Sequence, residues 1–299
     1  MKKFISAILI VVSFSTVAIG DGLVEKKAKE NITKGINAFT NKASQDVASF
    51  VRSFENVKYL DFEVNTQELL KPTFSMTSVY EIIKFDSGSI FNQTSLNTHD
   101  SDETINLGLG IRKLLNDNKL LIGSNIFFDH QFGEVHQRIG LGAEAISSIA
   151  DLRYNYYDSI SGRRMNAEGL IERGLDGWDL RADYHLPINQ DVNIFVSAFE
   201  FENPQEGSTY IEKGSKYGAD AKLGNWVLEA GYMNDNQARD AYFGNIKYVV
   251  NFGSENESIT PRKATTFTDV SDKLYQPVKR ENKIRVVKIS ASGVVVGGF

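Results

Sequence analysis

The residues most suited to chemistry in this chain are its four histidines, His99, His130, His136 and His185. One neighbourhood stands out: Asp129-His130, with Glu134 and His136 just behind it. Those types could hold a metal or pass a proton. Adjacent residues on a strand point to opposite faces, however, so Asp129 and His130 cannot converge if the segment is extended. We expect them to serve structure or the rim, with no catalysis, metal or cofactor. The absence of cysteine removes disulfides, zinc–thiolate sites and thiol nucleophiles. No serine stands at a spacing that pairs it with a histidine. The glycine pairs Gly108/Gly110 and Gly140/Gly142 resemble pieces of a nucleotide loop but lack the strand–turn–helix setting that such a loop needs. Close packing explains them better, and Asn31 and Asn92 open sequons by letter only.

The elements that carry these residues have period two. From Thr104, Ile105, Leu107, Leu109 and Ile111 alternate with Asn106, Gly108, Gly110 and Arg112. After a turn at Asn116-Asp117-Asn118, Leu120, Ile122, Ile126 and Phe128 alternate with Gly123, Asn125, Asp129 and Gln131. One face is aliphatic. The other is glycine, amide and sparse charge of both signs, which suits a crowded barrel lumen better than open water. Each arm has roughly the 9–11 residues that a tilted strand needs to cross a bilayer.

The chain's 299 residues begin with MKKFISAILIVVSFSTVAIG: two lysines, an apolar run and a small-residue exit. We read residues 1–20 as a signal peptide and set them outside the fold. Residues 21–56 carry Ile32, Ile36, Phe39, Ala43, Val47, Phe50 and Phe54 at spacings of three and four. That is an amphipathic stripe, a periplasmic helical leader or a partly ordered one. The net charge of -5, with no basic run, gives nucleic acid nothing to bind. A mean hydropathy of -0.26 fits a barrel, whose lumen and lipid residues average out along each strand.

Further strands follow almost without pause. We place twelve at 58–64, 73–84, 89–97, 104–113, 120–131, 136–146, 149–158, 175–186, 191–202, 214–223, 225–234 and 241–252. An arginine or lysine facing lipid at mid-bilayer costs about 2–4 kcal/mol, so the segregation of nearly every charge onto one face favours a membrane. Connections alternate short and long, as periplasmic turns and surface loops do. The expected fold is all-β: a transmembrane antiparallel barrel of about twelve strands over residues 57–252, with a linker or tail at 253–299. Arg112, Arg138, Arg153, Arg181, Asp151 and Asp183 would share the lumen. Either they pair among themselves, or some hold the linker, whose Asp269, Asp272, Lys273, Lys279, Arg280 and Glu281 alternate in sign. The strand ending at Phe252 closes on an aromatic residue, which resembles the signal read by the barrel-assembly machinery.

The blocks LGLGIRKLL-ND-NKLLIGSNIFFDHQF, HQRIGLGAEA, LRYNYYDSISG and GWDLRADYHLP resemble the translocator domain of inverse autotransporters, the intimin and invasin group. DVSDKLYQPVKRENKI is similar to the linker that follows it in those proteins, with Asp269, Asp272, Lys273, Tyr275 and Arg280 among its residues. The resemblance covers about residues 50–285. It implies a twelve-stranded barrel in the outer membrane of a Gram-negative bacterium, in contact with lipid. It further implies a linker running back through the lumen and a passenger carried outward, in some members an immunoglobulin-like adhesin for a host-cell receptor. Only residues 253–299 lie behind the barrel, too few for such a domain of about 100 residues once the membrane is crossed. The expectation is therefore a non-enzymatic translocator and anchor for a short C-terminal segment. A passive pore and a translocator for a passenger on a separate chain are the alternatives.

Overall fold

The computed structural model describes residues 56–68, 72–99, 102–166, 168–188, 190–237, 240–251, 266–289 and 295–298. The segments read as signal peptide and, but for Asn56, as helical leader lie outside the described residues, as does Phe252. The first strands are β1 (Val57–Gln67), β2 (Thr73–Phe85), β3 (Gly88–His99) and β4 (Asp102–Leu115). β5 (Leu120–Gln131), β6 (Gln137–Ser147) and β7 (Ala150–Ser159) follow, then two short strands, β8 (Arg164–Met165) and β9 (Ile171–Gly174). β10 (Asp176–His185), β11 (Asp191–Glu202), β12 (Ile211–Leu223), β13 (Trp226–Asp235) and β14 (Ala241–Asn251) complete the wall. Beyond it come β15 (Val286–Ile289) and β16 (Val295–Gly298).

Twelve of these strands close into one antiparallel barrel, β1 to β7 and β10 to β14, with β14 hydrogen-bonded back to β1. The closure is a long one, from Tyr59 opposite Asn251 to Gln67 opposite Phe243. A closed sheet leaves no edge, so every wall strand satisfies its backbone within the sheet, as hydrocarbon requires. The strands match the sequence reading closely, and β1 to β3, whose alternation is loosest, extend further than expected. β8, β9, β15 and β16 were not expected; they form a separate sheet in the order β16-β15-β9-β8.

Burial confirms the two faces. Leu107, Leu109, Ile111, Ile126, Leu141, Leu152 and Ile246 point out and are exposed, while Asn106, Arg112, Asp129, Arg138, Glu144 and Arg153 are buried inside. Aromatic pairs ring the outside near both ends of the wall: Trp226–Tyr248 at one, Tyr232–Tyr242 and Tyr154–Trp178 at the other. Such girdles sit where headgroups meet hydrocarbon. His130 faces out as well, packed between Phe128 and Phe132, while Asp129 faces in.

The lumen is less polar than the alternation suggests. Phe91 and Phe127 turn inward, and each ring lies on a glycine of β4. A Cβ at Gly108 would stand 2.3 Å from Phe127, and one at Gly110 would stand 2.3 Å from Phe91. These glycines make room for rings, which is the close packing expected of them. Among the described residues three apolar clusters line the interior. They are centred on Leu114, Leu121 and Ile146, on Phe91 and Phe127, and on Phe199, Phe201 and Met233.

Candidate functional site: the occupied lumen

A barrel of about eight strands is just filled by its own side chains, and one of sixteen leaves a channel. Twelve strands leave room between those limits, and residues 270–285 occupy it. The segment can be followed contact by contact from one end of the barrel to the other.

At the end with the short turns, Asn116, Asp117 and Asn118 all take left-handed backbone angles, φ 53°, 54° and 64°. Asparagine and aspartate tolerate that region better than most residues. The turn they make presents the Asn118 carbonyl, which accepts from the Val270 amide at 2.8 Å. Asn118 Nδ2 also donates to Asp269 at 3.3 Å. The Ser271 hydroxyl and amide donate to the Asp269 carboxyl and hold it below its ordinary range. Ser271–Lys273 form a single 3-10 turn. From it Lys273 Nζ reaches the Ser147 carbonyl at 2.7 Å, His185 at 3.0 Å and Asp151 at 3.3 Å.

Deeper in, wall side chains take over the segment's backbone. Arg112 is held by Glu144 at 2.6 Å and donates to the carbonyls of Leu274 and Gln276. The Tyr275 hydroxyl donates to Glu81. Gln93 pairs with Val278 through both amide atoms: it accepts from the Val278 amide at 2.7 Å and donates to its carbonyl at 3.4 Å. That is the pattern of a sheet neighbour, supplied by a side chain. Asn155 donates to the Lys279 carbonyl at 3.1 Å, and Lys279 Nζ meets Asp183 at 3.0 Å.

Asp129 is the hub. Its two oxygens accept four hydrogen bonds: from Asn106 at 2.7 Å, from Arg138 at 2.8 Å and from both terminal nitrogens of Arg280 at 2.8 and 2.7 Å. A carboxylate has about four lone-pair sites, so this one is saturated. Arg280 also lies over the Phe127 ring at 4.2 Å. Its Nη2 would stand 2.8 Å from a Cβ at Gly140. Arg138 uses its remaining donors on the Glu281 and Lys283 carbonyls, at 2.6 and 3.0 Å.

Apolar anchors accompany the charges. Val270 and Leu274 join the cluster around Leu114, Val278 the cluster around Phe91, and Val287 the cluster around Phe199. Full burial of such side chains is worth about 1.5–3 kcal/mol each, whereas the desolvation cost of a buried ion pair can offset its attraction.

The six lumen charges singled out in the sequence thus divide. Arg112, Arg138, Asp151 and Asp183 touch the segment. Arg153 bridges Asp151 and Asp183 at 2.9 Å each, and Arg181 joins Asp183 to Glu229, so these two brace wall to wall. Of the segment's own residues Lys273, Tyr275 and Arg280 reach the wall, Asp269 meets the entry turn, and Asp272 is exposed. Sequence reading passed over Gln93, Asn106 and Asn155, which bind backbone. Their signal was amides on the inward face of β3, β4 and β7.

Beside the segment a cavity of about 740 Å3 opens at the short-turn end, lined by Lys58, Asp220, Lys222, Glu229 and Lys247 among others. At the long-loop end lies a serine–histidine–acid contact that the sequence did not reveal. His136 stands 3.2 Å from the Ser161 hydroxyl through Nδ1 and 3.4 Å from Glu172 through Nε2. All three are buried, His136 completely.

Comparisons with known proteins complete the picture. A family model described as "Inverse autotransporter, beta-domain" matches residues 14–282. An Escherichia coli K12 relative described as an attaching and effacing protein homolog is 30% identical over 150 residues, 50% of each chain. An intimin of Escherichia coli O157:H7 is 30% identical over 259 residues, 82% of this chain and 27% of that one. The chain therefore spans half or less of the length of these curated relatives. A solved chain from a study of the in-meso crystallization of membrane proteins covers 77% of this chain and 99% of its own length. Its TM-score is 0.66 at 20% identity, which speaks for the fold alone.

Proposed function

The chain belongs to the inverse autotransporter β-domain family and forms an outer-membrane barrel of a Gram-negative bacterium, and on that premise we propose that it translocates and anchors its own C-terminal segment. The observation that carries this reading is the unbroken contact path from Asn118 at the short-turn end to Leu175 at the long-loop end. Leu175 donates its amide to the Arg285 carbonyl at 2.9 Å. Short turns face the periplasm and long loops the exterior in outer-membrane barrels, so the path runs outward.

In this reading the wall side chains take the place of water for a backbone that must cross the membrane unpaired. Residues 1–20 are the signal peptide, 21–56 the periplasmic leader, 57–252 the barrel and 253–299 the linker and tail. Phe252 is the mark read by the assembly machinery. Attachment to a host-cell or other surface receptor is a role implied by kinship with proteins described as intimin or attaching homologs. The open space of about 740 Å3 favours a passive pore as the second reading. The cluster of Tyr157, Leu175, Phe199, Phe201, Met233 and Val287 stands across the outer half of the lumen and favours the first.

An epitope placed after Phe299 tests the choice. On intact cells, external protease should remove it while the barrel stays whole. An epitope cleaved only after the outer membrane is breached would leave a pore or a periplasmic tail.

A further inference from the structure

Inside the barrel the C-terminal segment meets no strand edge, because a closed wall has none to offer. Between the backbone contacts at its two ends, Val270 to Asn118 and Arg285 to Leu175, its backbone is held by side chains: Gln93, Asn106, Arg112, Arg138, Asn155 and Tyr157. The first free edge on its outward path is β9, in the long connection between β7 and β10. There the contact changes in kind. Val286, Val287, Lys288 and Ile289 pair antiparallel with Gly174, Arg173, Glu172 and Ile171, and β16 adds to the far side of β15.

The edge is held in place from the barrel rim. Val135 takes φ 60°, a left-handed conformation that β-branched residues resist, and His136 follows it with its ring turned inward. The ring meets Glu172 of β9 at 3.4 Å. Asn166 donates to the same carboxylate at 2.8 Å, and Lys288, directly across the sheet, comes within 3.4 Å. Register is marked twice. Lys288 opposes Glu172, and Val287 between its neighbours is fully buried in the apolar cluster of the outer lumen. A slip of one residue would exchange those faces.

We propose that the β8–β9 hairpin is a strand template, which captures the C-terminal segment as it leaves the lumen and holds it, in one register, against sliding back. The proposal rests on the export reading above. It assigns the surface loop the task of making outward movement irreversible where no nucleotide or gradient drives it. The captured partner is an extended segment with a cation flanked on each side by an inward-facing apolar residue, as Lys288 is by Val287 and Ile289, paired through its backbone. Strand pairing supplies the hold, and the Glu172–Lys288 pair selects the register.

The test is a charge exchange in the full chain bearing an epitope after Phe299, with the time for the epitope to become protease-sensitive on intact, pulse-labelled cells as readout. Glu172→Lys sets two cations across the sheet and should lengthen that time about fivefold, and Glu172→Lys with Lys288→Glu should return it to near the wild-type value. Rescue by exchange separates the pair from any need of Glu172 for His136 and Asn166, which the double variant does not restore. Lys288→Glu alone leaves those two contacts in place, opposes two carboxylates and should also slow exposure, so it stands in should Glu172→Lys fail to fold by heat-modified gel migration. Single variants that export at the wild-type rate, or an exchange that stays slow, would overturn the template. A wild-type epitope that never reaches the surface would instead overturn the export reading on which it rests.

Discussion

Replacing Asp129 with alanine should lower the unfolding free energy of the barrel by about 3–5 kcal/mol, the cost of leaving buried partners unpaired. The size follows from what the carboxylate holds. Two guanidiniums and an amide spend four donors on it, and none of the three side chains is more than half exposed. Without it Arg138 and Arg280 face each other across the space it occupied, each over an aromatic ring and without its hydrogen-bonded carboxylate. A second change, Arg280→Met, removes one stranded cation and should recover part of the loss. Denaturant unfolding from lipid vesicles, followed by the emission of Trp178 and Trp226, measures both variants. A loss below about 1 kcal/mol would mean that the hub is a surface-grade ion pair and the segment is held elsewhere.

The whole chain should be silent in planar bilayers, and ending it after Thr265 should give a steady open level. Removal of residues 266–299 takes out the strand of backbone that fills the lumen and joins its space to the existing cavity of about 740 Å3. It also takes Val287 from the apolar cluster across the outer half, together with Arg285, which lies over Phe199 and Phe201 at 4.5 and 4.7 Å. Arg138→Glu should act in the same direction but less, since it frees the Glu281 and Lys283 carbonyls while Arg112 and Gln93 keep the inner half in place. Equal conductance of whole and shortened chains would make the segment irrelevant to closure.

Much of this was legible in residue order because a barrel wall has a simple code. Leu107-Gly108-Leu109-Gly110-Ile111-Arg112 states both faces of β4 at once, and the alternation of short and long connections states which end is which. Asp129 and His130 could be separated by period two alone. What alternation cannot express is content on the inward face that is neither charged nor small. Leu114, Leu121 and Ile146 lie inside near the periplasmic turns, in runs such as Leu114-Leu115 and Leu120-Leu121 that put leucine on both faces. Their partners Val270 and Leu274 sit among the linker's charges, which drew attention first.

The second sheet was illegible for a different reason. Val286–Ile289 and Ile171–Gly174 are four residues each and become strands only by meeting. Short apolar or mixed runs of that length carry no period of their own. His136 and Glu172 likewise stand 36 positions apart, and only the fold of the connection between β7 and β10 brings them together.

The central claim is that residues 270–285 thread the lumen, and the absence of cysteine makes it directly measurable. Cysteines placed at Gln93 and Val278, facing each other inside β3, can be joined by a short bismaleimide in whole cells. The account predicts an internal cross-link that forms in the folded barrel and resists external thiol reagents beforehand. Two thiols that never join, with position 278 labelled as readily as a free tail, would contradict it.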